Sequence, residues 1–178
     1  MQQRLWVQEY YQEMTEKWQQ MPKDIEWHMI GHVQSNKVKY MVPYVKLIHG
    51  VDSLKLLKEI NRQAVRWRKN INCLLQIHIA EEETKFGLNE KELEELLHSE
   101  EFKTMTNIKI VGLMGMATFT DNQEQIKREF NHLKVVFDQY KTLQTPNLQL
   151  QTTWLGASQG TLLSWWQGSQ TPACDPVA

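Results

Sequence analysis

Apolar and polar positions along this 178-residue chain follow two periods, one typical of strands and one typical of helices. The clearest two-residue period covers 71–80, where the odd positions from Ile71 to Ile79 are all apolar. Asn72, Leu74, Gln76 and His78 share the other face. Similar patterns predict strands at 25–31, 45–49 and 108–116, and the last is nearly all apolar, as in a strand covered on both faces.

Spacings of three and four residues predict helices between these strands. A surface helix is predicted over 3–20, and a short helix that begins near Ser35 or Asn36 is predicted to end at Pro43. Ser53 and Asn89 are predicted to cap the next two helices. A short helical piece is predicted near 100–105, and Asp121 with Glu124 predicts the start of a helix that runs to Tyr140.

Repeated strand–helix units predict an α/β fold, in one domain spanning 1–178. Two architectures are compatible with that order, a doubly wound sheet and a (β/α)8 TIM-barrel-like fold. Neither Gly-rich nucleotide-binding motif, GxGxxG or GxxxxGK[ST], occurs in the chain. In a barrel, polar residues near the carboxyl ends of strands point into the active-site mouth, and His28, His49, Gln76 and His78 fit that placement. The pattern therefore favours the barrel.

Overall charge excludes some partners. The chain holds 20 basic and 21 acidic residues, so it lacks the basic surface expected for nucleic acid or an anionic membrane. No apolar run approaches the roughly 18 residues of a membrane span. Cys73 and Cys174 are too far apart in sequence to suggest a disulfide framework. We therefore expect a cytoplasmic protein.

Charge is distributed unevenly along the chain. Lys141 is the last basic residue, and Asp175 is the only charged residue after it, whereas the density in the rest of the chain predicts about ten. This low-charge tail contains Trp154, Trp165 and Trp166. The composition thus changes near residue 142.

Several residues could carry chemistry, and each has a plainer interpretation. His28, His32, His49 and His78 lie on or just beyond predicted strands, but without an HExxH spacing a structural role is favoured over a metal site. Glu82, Lys85 and Gly87 could position a substrate or simply form a surface ion pair in the loop. The strand 112–116 could form a ligand wall, although core packing is favoured. Cys73 is predicted to be an inert core thiol.

Four motifs resemble those of the pyridoxal phosphate homeostasis proteins (YggS/PROSC type), in order and spacing, over about residues 12–141. The stretch 27–37, WHMIGHVQSNK, resembles their WHFIGHLQSNK, and 47–53, LIHGVDS, resembles their I-H-S-V-D strand end. Residues 75–87 resemble Q-x-N…E-x-x-K-x-G, with His78 where Asn is usual. The strand 112–116, GLMGM, resembles G-L-M-x-I.

The resemblance implies a barrel like the alanine racemase N-terminal domain and a protein of cofactor homeostasis without established catalytic turnover. It implies pyridoxal 5′-phosphate as cofactor, held as a Schiff base on a Lys, while the histidine spacing gives no metal site. No catalytic residue is nominated. The motif-matched candidates for cofactor binding are His32, Gln34, Asn36, Lys85, Gly156, Ser158, Gly168 and Ser169.

Both ends of the chain depart from the family pattern. The family strand with the Schiff-base Lys is expected to precede residue 1, so no Lys of this chain is nominated as covalent. Over 154–175, only Gly156, Ser158, Gly168 and Ser169 of the phosphate-binding segment remain. We therefore predict a family-like part, 1–148, and an aberrant tail, 149–178, for which a shifted reading frame is favoured over divergence. With strand 1 missing, an incomplete barrel is expected.

The functional expectation is a pyridoxal phosphate-binding homeostasis protein in which binding is weak or lost. One alternative is a non-functional fragment or frameshifted product of such a gene. A less favoured alternative is a racemase- or decarboxylase-like enzyme, which would need a Schiff-base Lys and an acid–base partner on a second domain. The oligomeric state is left open by the sequence.

Overall fold

The fold is a parallel sheet with helices packed on one face. A computed structural model describes residues 5–8, 11–82, 85–143 and 145–156. The strands are β1 (Leu5–Gln8), β2 (Glu26–Met29), β3 (Val45–Val51), β4 (Ile71–Ile77), β5 (Ile108–Met116) and β6 (Leu148–Gly156). The helices are α1 (Tyr11–Gln20), α2 (Val38–Met41), α3 (Leu54–Trp67), α4 (Glu90–His98), α5 (Glu100–Lys103) and α6 (Gln123–Tyr140), and a 3-10 turn, Ser35–Lys37, precedes α2.

Strand order distinguishes the two predicted architectures. The six strands are all parallel and lie in the order β1-β2-β3-β4-β5-β6, so each pairs with its neighbours in sequence. A doubly wound sheet reverses its strand order at a switch point, whereas a (β/α)8 barrel adds each strand beside the previous one. The prediction of a barrel-type α/β fold is confirmed.

The two faces of the sheet differ in what they bury. The helix-facing side holds the main core, which includes Trp27, Ile48, Leu75 and Leu113. The opposite side, called the inner face below, holds a smaller cluster. Its members are Leu47, Leu74 and Met114, packed with Val111, Met116 and Trp154. This arrangement confirms the predicted alternation of β4, since Cys73 and Leu75 face the helices while Leu74 lies on the inner face.

Two predicted helix caps are present. The Ser53 hydroxyl accepts from the Leu56 backbone N–H at 3.3 Å at the start of α3. Asn89 forms a full capping box with Glu92, each side chain accepting from the other residue's backbone N–H at 2.9 Å. Both contacts satisfy helix N–H groups that would otherwise lack a partner.

Other predicted boundaries are wrong. Residues 5–8 form β1 rather than part of a helix over 3–20, because Leu5 to Gln8 pair in parallel with Glu26 to Met29 and this long-range pairing overrides the local helical spacing. The 3-10 turn starts after Gln34 and has no side-chain cap from Ser35 or Asn36. Asn122, not Asp121, caps α6, and its side chain accepts from the N–H groups of Glu124 and Gln125.

The strand β6 was not predicted. It lies in the low-charge tail, and the boundary expected between 148 and 149 falls inside it. Residues 157–178 lie outside the described part of the chain. Gly112 makes the β5–β6 contact possible, since a Cβ there would lie 2.1 Å from the Thr152 carbonyl oxygen.

Candidate functional site

The carboxyl ends of β2, β3 and β4 bring together a group of polar and aromatic side chains, called the rim cluster: His32, Asp52, Gln76 and Phe86. His32 Nδ1 lies 3.4 Å from Asp52 Oδ2. The His32 and Phe86 rings stack with their centroids 4.2 Å apart and their planes 21° from parallel. Three segments distant in sequence therefore meet at one end of the sheet, where barrels of this type place their sites.

Gln76 fixes the loop after β4. It is a buried side chain on the same strand face as Leu74, and its Nε2 donates to the Phe86 carbonyl oxygen at 2.9 Å. The Leu88 N–H donates to the Gln76 carbonyl at 2.7 Å, and the His78 N–H donates to the Leu88 carbonyl. Gly87 completes the turn with a φ of 145°, a conformation that other residues rarely adopt. The loop carrying Phe86 is thus held by both side-chain and backbone hydrogen bonds.

Two imidazoles lie close together in neighbouring strands β2 and β3. His49 Nε2 and His28 Nδ1 share a hydrogen bond of 3.2 Å. The Trp154 and His49 rings are nearly perpendicular, with their centroids 4.5 Å apart. His49 is fully buried, and its Nδ1 has no hydrogen-bond partner among the described residues. His28 and His49, each expected near the carboxyl end of a strand, are thus hydrogen-bonded neighbours, a contact that the sequence did not predict.

Burial controls the protonation of this pair. Burial lowers the pKa of His28 to about 4, with a smaller contribution from the charge of Lys46. Burial also lowers the pKa of His49 well below its ordinary value, and the neighbouring His28 adds to the effect. Both imidazoles are consequently neutral near pH 7, so each can donate one hydrogen bond and accept another.

A buried carboxylate supports the same end of the sheet. Glu129, on α6, is 3% exposed and accepts hydrogen bonds from the Thr118 N–H at 2.7 Å, the Thr118 hydroxyl at 2.6 Å and the Glu81 N–H at 3.0 Å. Burial by itself would raise the pKa of the Glu129 carboxyl, but the hydrogen bonds from Thr118, Glu81 and Gln125 outweigh it and lower that pKa. Glu129 thereby joins the chain after β4 to the chain after β5.

The predicted site residues are distributed unevenly. His32 belongs to the rim cluster, and Lys85 adjoins Phe86 but pairs with Glu82 at 3.6 Å. Gln34 and Asn36 are exposed at the 3-10 turn that follows His32. Gly156 ends β6 as the last described residue, and Ser158, Gly168 and Ser169 lie outside the described residues.

Sequence reasoning missed three residues that organise the site. Asp52 lies within the 47–53 motif, but it was not predicted to be a site residue. Phe86 could not be predicted, because an exposed aromatic residue in a loop forms no periodic pattern. Glu129 could have been found, because it lies three residues after Ile126 and four before Leu133, on the apolar stripe of α6. A charged residue on such a stripe indicates a paired buried group.

Other candidate chemistry has a structural explanation. Cys73 is fully buried, and burial raises the pKa of its thiol, so the thiolate form is disfavoured. Among the described residues, no three His, Cys, Asp or Glu side chains are grouped so that they could hold a metal ion. No helix in the described part of the chain combines the length and apolarity needed to cross a membrane.

Comparison with known sequences extends the match to most of the chain. Residues 9–171 match the family described as alanine racemase, N-terminal domain. The pyridoxal phosphate homeostasis protein of Aquifex aeolicus is 34% identical over 129 residues, which are 72% of this chain and 56% of that protein. The protein of the same name from Helicobacter pylori is 37% identical over 118 residues, 66% of this chain and 53% of its own. The chain thus spans about half the length of these curated relatives.

Comparison with solved structures agrees on the fold. PipY of Synechococcus elongatus, solved without PLP, has a TM-score of 0.76 and 25% identity, covering 85% of this chain and 70% of PipY. Alanine racemase of Clostridium difficile has a TM-score of 0.67 and 14% identity, covering 87% of this chain and 39% of the enzyme, and so supports the fold alone.

Proposed function

We propose that this chain binds pyridoxal 5′-phosphate and serves intracellular homeostasis of that cofactor. The chain belongs to the pyridoxal phosphate homeostasis family, within the alanine racemase N-terminal domain group. One observation carries the proposal. The rim cluster joins three of the four motifs that the chain shares with its relatives, because His32 lies against both Asp52 and Phe86. These motifs are far apart in sequence and meet at the end of the sheet where such barrels bind ligands.

The described residues fit the ring of this cofactor. A planar ring with polar substituents matches the aromatic side chains of the rim cluster and the neutral imidazoles of the neighbouring strands β2 and β3. The partnerless Nδ1 of His49 is a buried polar atom that can still take a hydrogen bond. For the phosphate, we propose backbone N–H groups near Gly156–Ser158 and Gly168–Ser169. His32, Gln34, Asn36 and Lys85 are proposed around the mouth of the barrel.

The proposed binding is weak and non-covalent. When bound, the cofactor supplies an aldehyde that reacts with amines, and in this family a Lys provides that amine. The motif of this Lys has no counterpart among residues 1–178, and the Lys85 ammonium is engaged by Glu82 at 3.6 Å. The residues of this chain would therefore orient the ring and hold the phosphate without forming a covalent bond.

An absorbance titration with pyridoxal 5′-phosphate tests this function. We expect saturable binding that pyridoxine 5′-phosphate displaces, because the latter has the same ring and phosphate but an alcohol in place of the aldehyde. Surface lysines react only with the aldehyde of pyridoxal 5′-phosphate. Because pyridoxine 5′-phosphate has no aldehyde, it would not displace adducts formed on those lysines. Borohydride reduction and peptide mapping should then show no single preferred Lys.

Three outcomes separate the parts of the proposal. Absence of competable binding would contradict the cofactor-binding function. Saturable binding with one uniquely modified Lys would contradict the non-covalent mode and identify a covalent residue. Saturable, competable binding with scattered modification supports both parts.

A further inference from the structure

Two stacked rings, those of Phe86 and His32, are partly exposed at the carboxyl end of the sheet. Phe86 is 55% exposed, although a phenyl ring gains from leaving water. The His32 side chain is 42% exposed and lies against it at 4.2 Å. Both rings of the pair therefore keep part of their aromatic surface in solvent.

Polar contacts hold both His32 and Phe86 in place. Asp52 lies 3.4 Å from His32 Nδ1, and Gln76 Nε2 donates to the Phe86 carbonyl at 2.9 Å. Gly87 gives the turn its shape, since a Cβ at that position would lie 2.4 Å from the His78 nitrogen. A ligand that contacts a surface already ordered in this way loses less conformational entropy on binding.

We infer that Phe86 and His32 form an aromatic platform that stacks on the electron-poor heteroaromatic ring of the ligand. Aromatic faces are rich in electron density, so they attract a ring poor in it. This inference rests on the proposed function, in which that ring is the pyridine of the cofactor. It adds Phe86 as a residue that contacts the ring and sets the preference for planar ligands.

Another exposed aromatic residue provides a matched control. Trp67 is 49% exposed at the end of α3, immediately before the turn that leads into the amino end of β4. It is therefore at the opposite end of the sheet from the rim cluster. Removing either ring deletes a similarly exposed aromatic surface, but only Phe86 belongs to the platform.

The test measures the Kd of pyridoxine 5′-phosphate by calorimetry for the wild type, Phe86→Ala, Phe86→Tyr and Trp67→Ala. We expect Phe86→Ala to raise Kd about threefold to tenfold, in line with the loss of one stacking contact. Phe86→Tyr and Trp67→Ala should bind like the wild type. Inorganic phosphate, used as a competitor without a ring, should bind the wild type and Phe86→Ala equally well.

A structural readout accompanies the affinities. The ring current of Phe86 should shift the His32 imidazole proton resonances in the free wild type, and Phe86→Ala should remove that shift while circular dichroism stays unchanged. The platform is overturned if Phe86→Ala binds pyridoxine 5′-phosphate as tightly as the wild type, and the proposed function then still stands. If the wild type itself shows no saturable binding, both the platform and the function are overturned.

Discussion

Replacing Glu129 with alanine should lower the free energy of unfolding by about 3 kcal/mol, because truncation leaves several buried donors without an acceptor. The Thr118 N–H, the Thr118 hydroxyl and the Glu81 N–H all donate to this carboxylate. The side chain is almost fully buried, so water cannot readily take its place. The measurement is equilibrium urea unfolding at pH 7.

Two variants make the interpretation specific. Glu129→Gln keeps one acceptor oxygen but places an amide donor against other donors, so its loss should be smaller than that of Glu129→Ala but still measurable. Glu124→Ala removes an exposed carboxylate of the same helix that pairs with Lys127 at 2.9 Å, and should leave stability nearly unchanged. Equal effects of Glu129→Ala and Glu124→Ala would show that Glu129 does not join the two loops.

Stability should fall by about 2 kcal/mol between pH 7 and pH 5 for each imidazole of the His28–His49 pair. In the unfolded chain these imidazoles titrate near their ordinary pKa of about 6.5. In the folded protein, burial lowers the pKa of His28 to about 4 and lowers that of His49 as well. The unfolded chain therefore binds more protons in this window, so stability is full above pH 6.5 and is lost as the pH falls toward 4.

Urea unfolding at several pH values measures this dependence. His28→Gln should flatten the slope between pH 7 and pH 5, because one of the two depressed imidazoles is gone. His98→Gln, which changes an exposed imidazole on α4, should leave the slope as it is in the wild type. A wild-type stability that stays constant from pH 7 to pH 5 would contradict the burial of a neutral imidazole pair.

Sequence periodicity predicted the central part of the fold well. The strand β5 was predicted with its observed bounds, Ile108–Met116, and Asn89 was recognised as a helix cap, since a continuous apolar run and an Asn-x-x-Glu spacing are both visible in the local sequence. The barrel type also followed from strand–helix repetition combined with polar residues at strand ends. Such features are encoded locally and can be derived from spacing.

Features that depend on distant partners could not be predicted. The four residues of β1 are too few for a two-residue period to be told from a helical one, and they become a strand because β2 lies beside them. The stacking of Phe86 on His32 joins two loops 54 positions apart, and only the folded sheet brings them together. The inner-face role of Trp154 likewise requires β6 to pair with β5.

We propose that the cofactor binds at the carboxyl ends of β2, β3 and β4, with its phosphate near Gly156. Backbone amide resonances, followed by nuclear magnetic resonance during titration with pyridoxine 5′-phosphate, test it most directly. We predict saturable shifts concentrated at 31–36, 50–52, 85–88, 156–158 and 168–169. Little change is expected at 68–70 and 106–107, which precede β4 and β5 at the opposite end of the sheet. Shifts centred on that opposite end of the sheet, or on the helices alone, would contradict the proposed site.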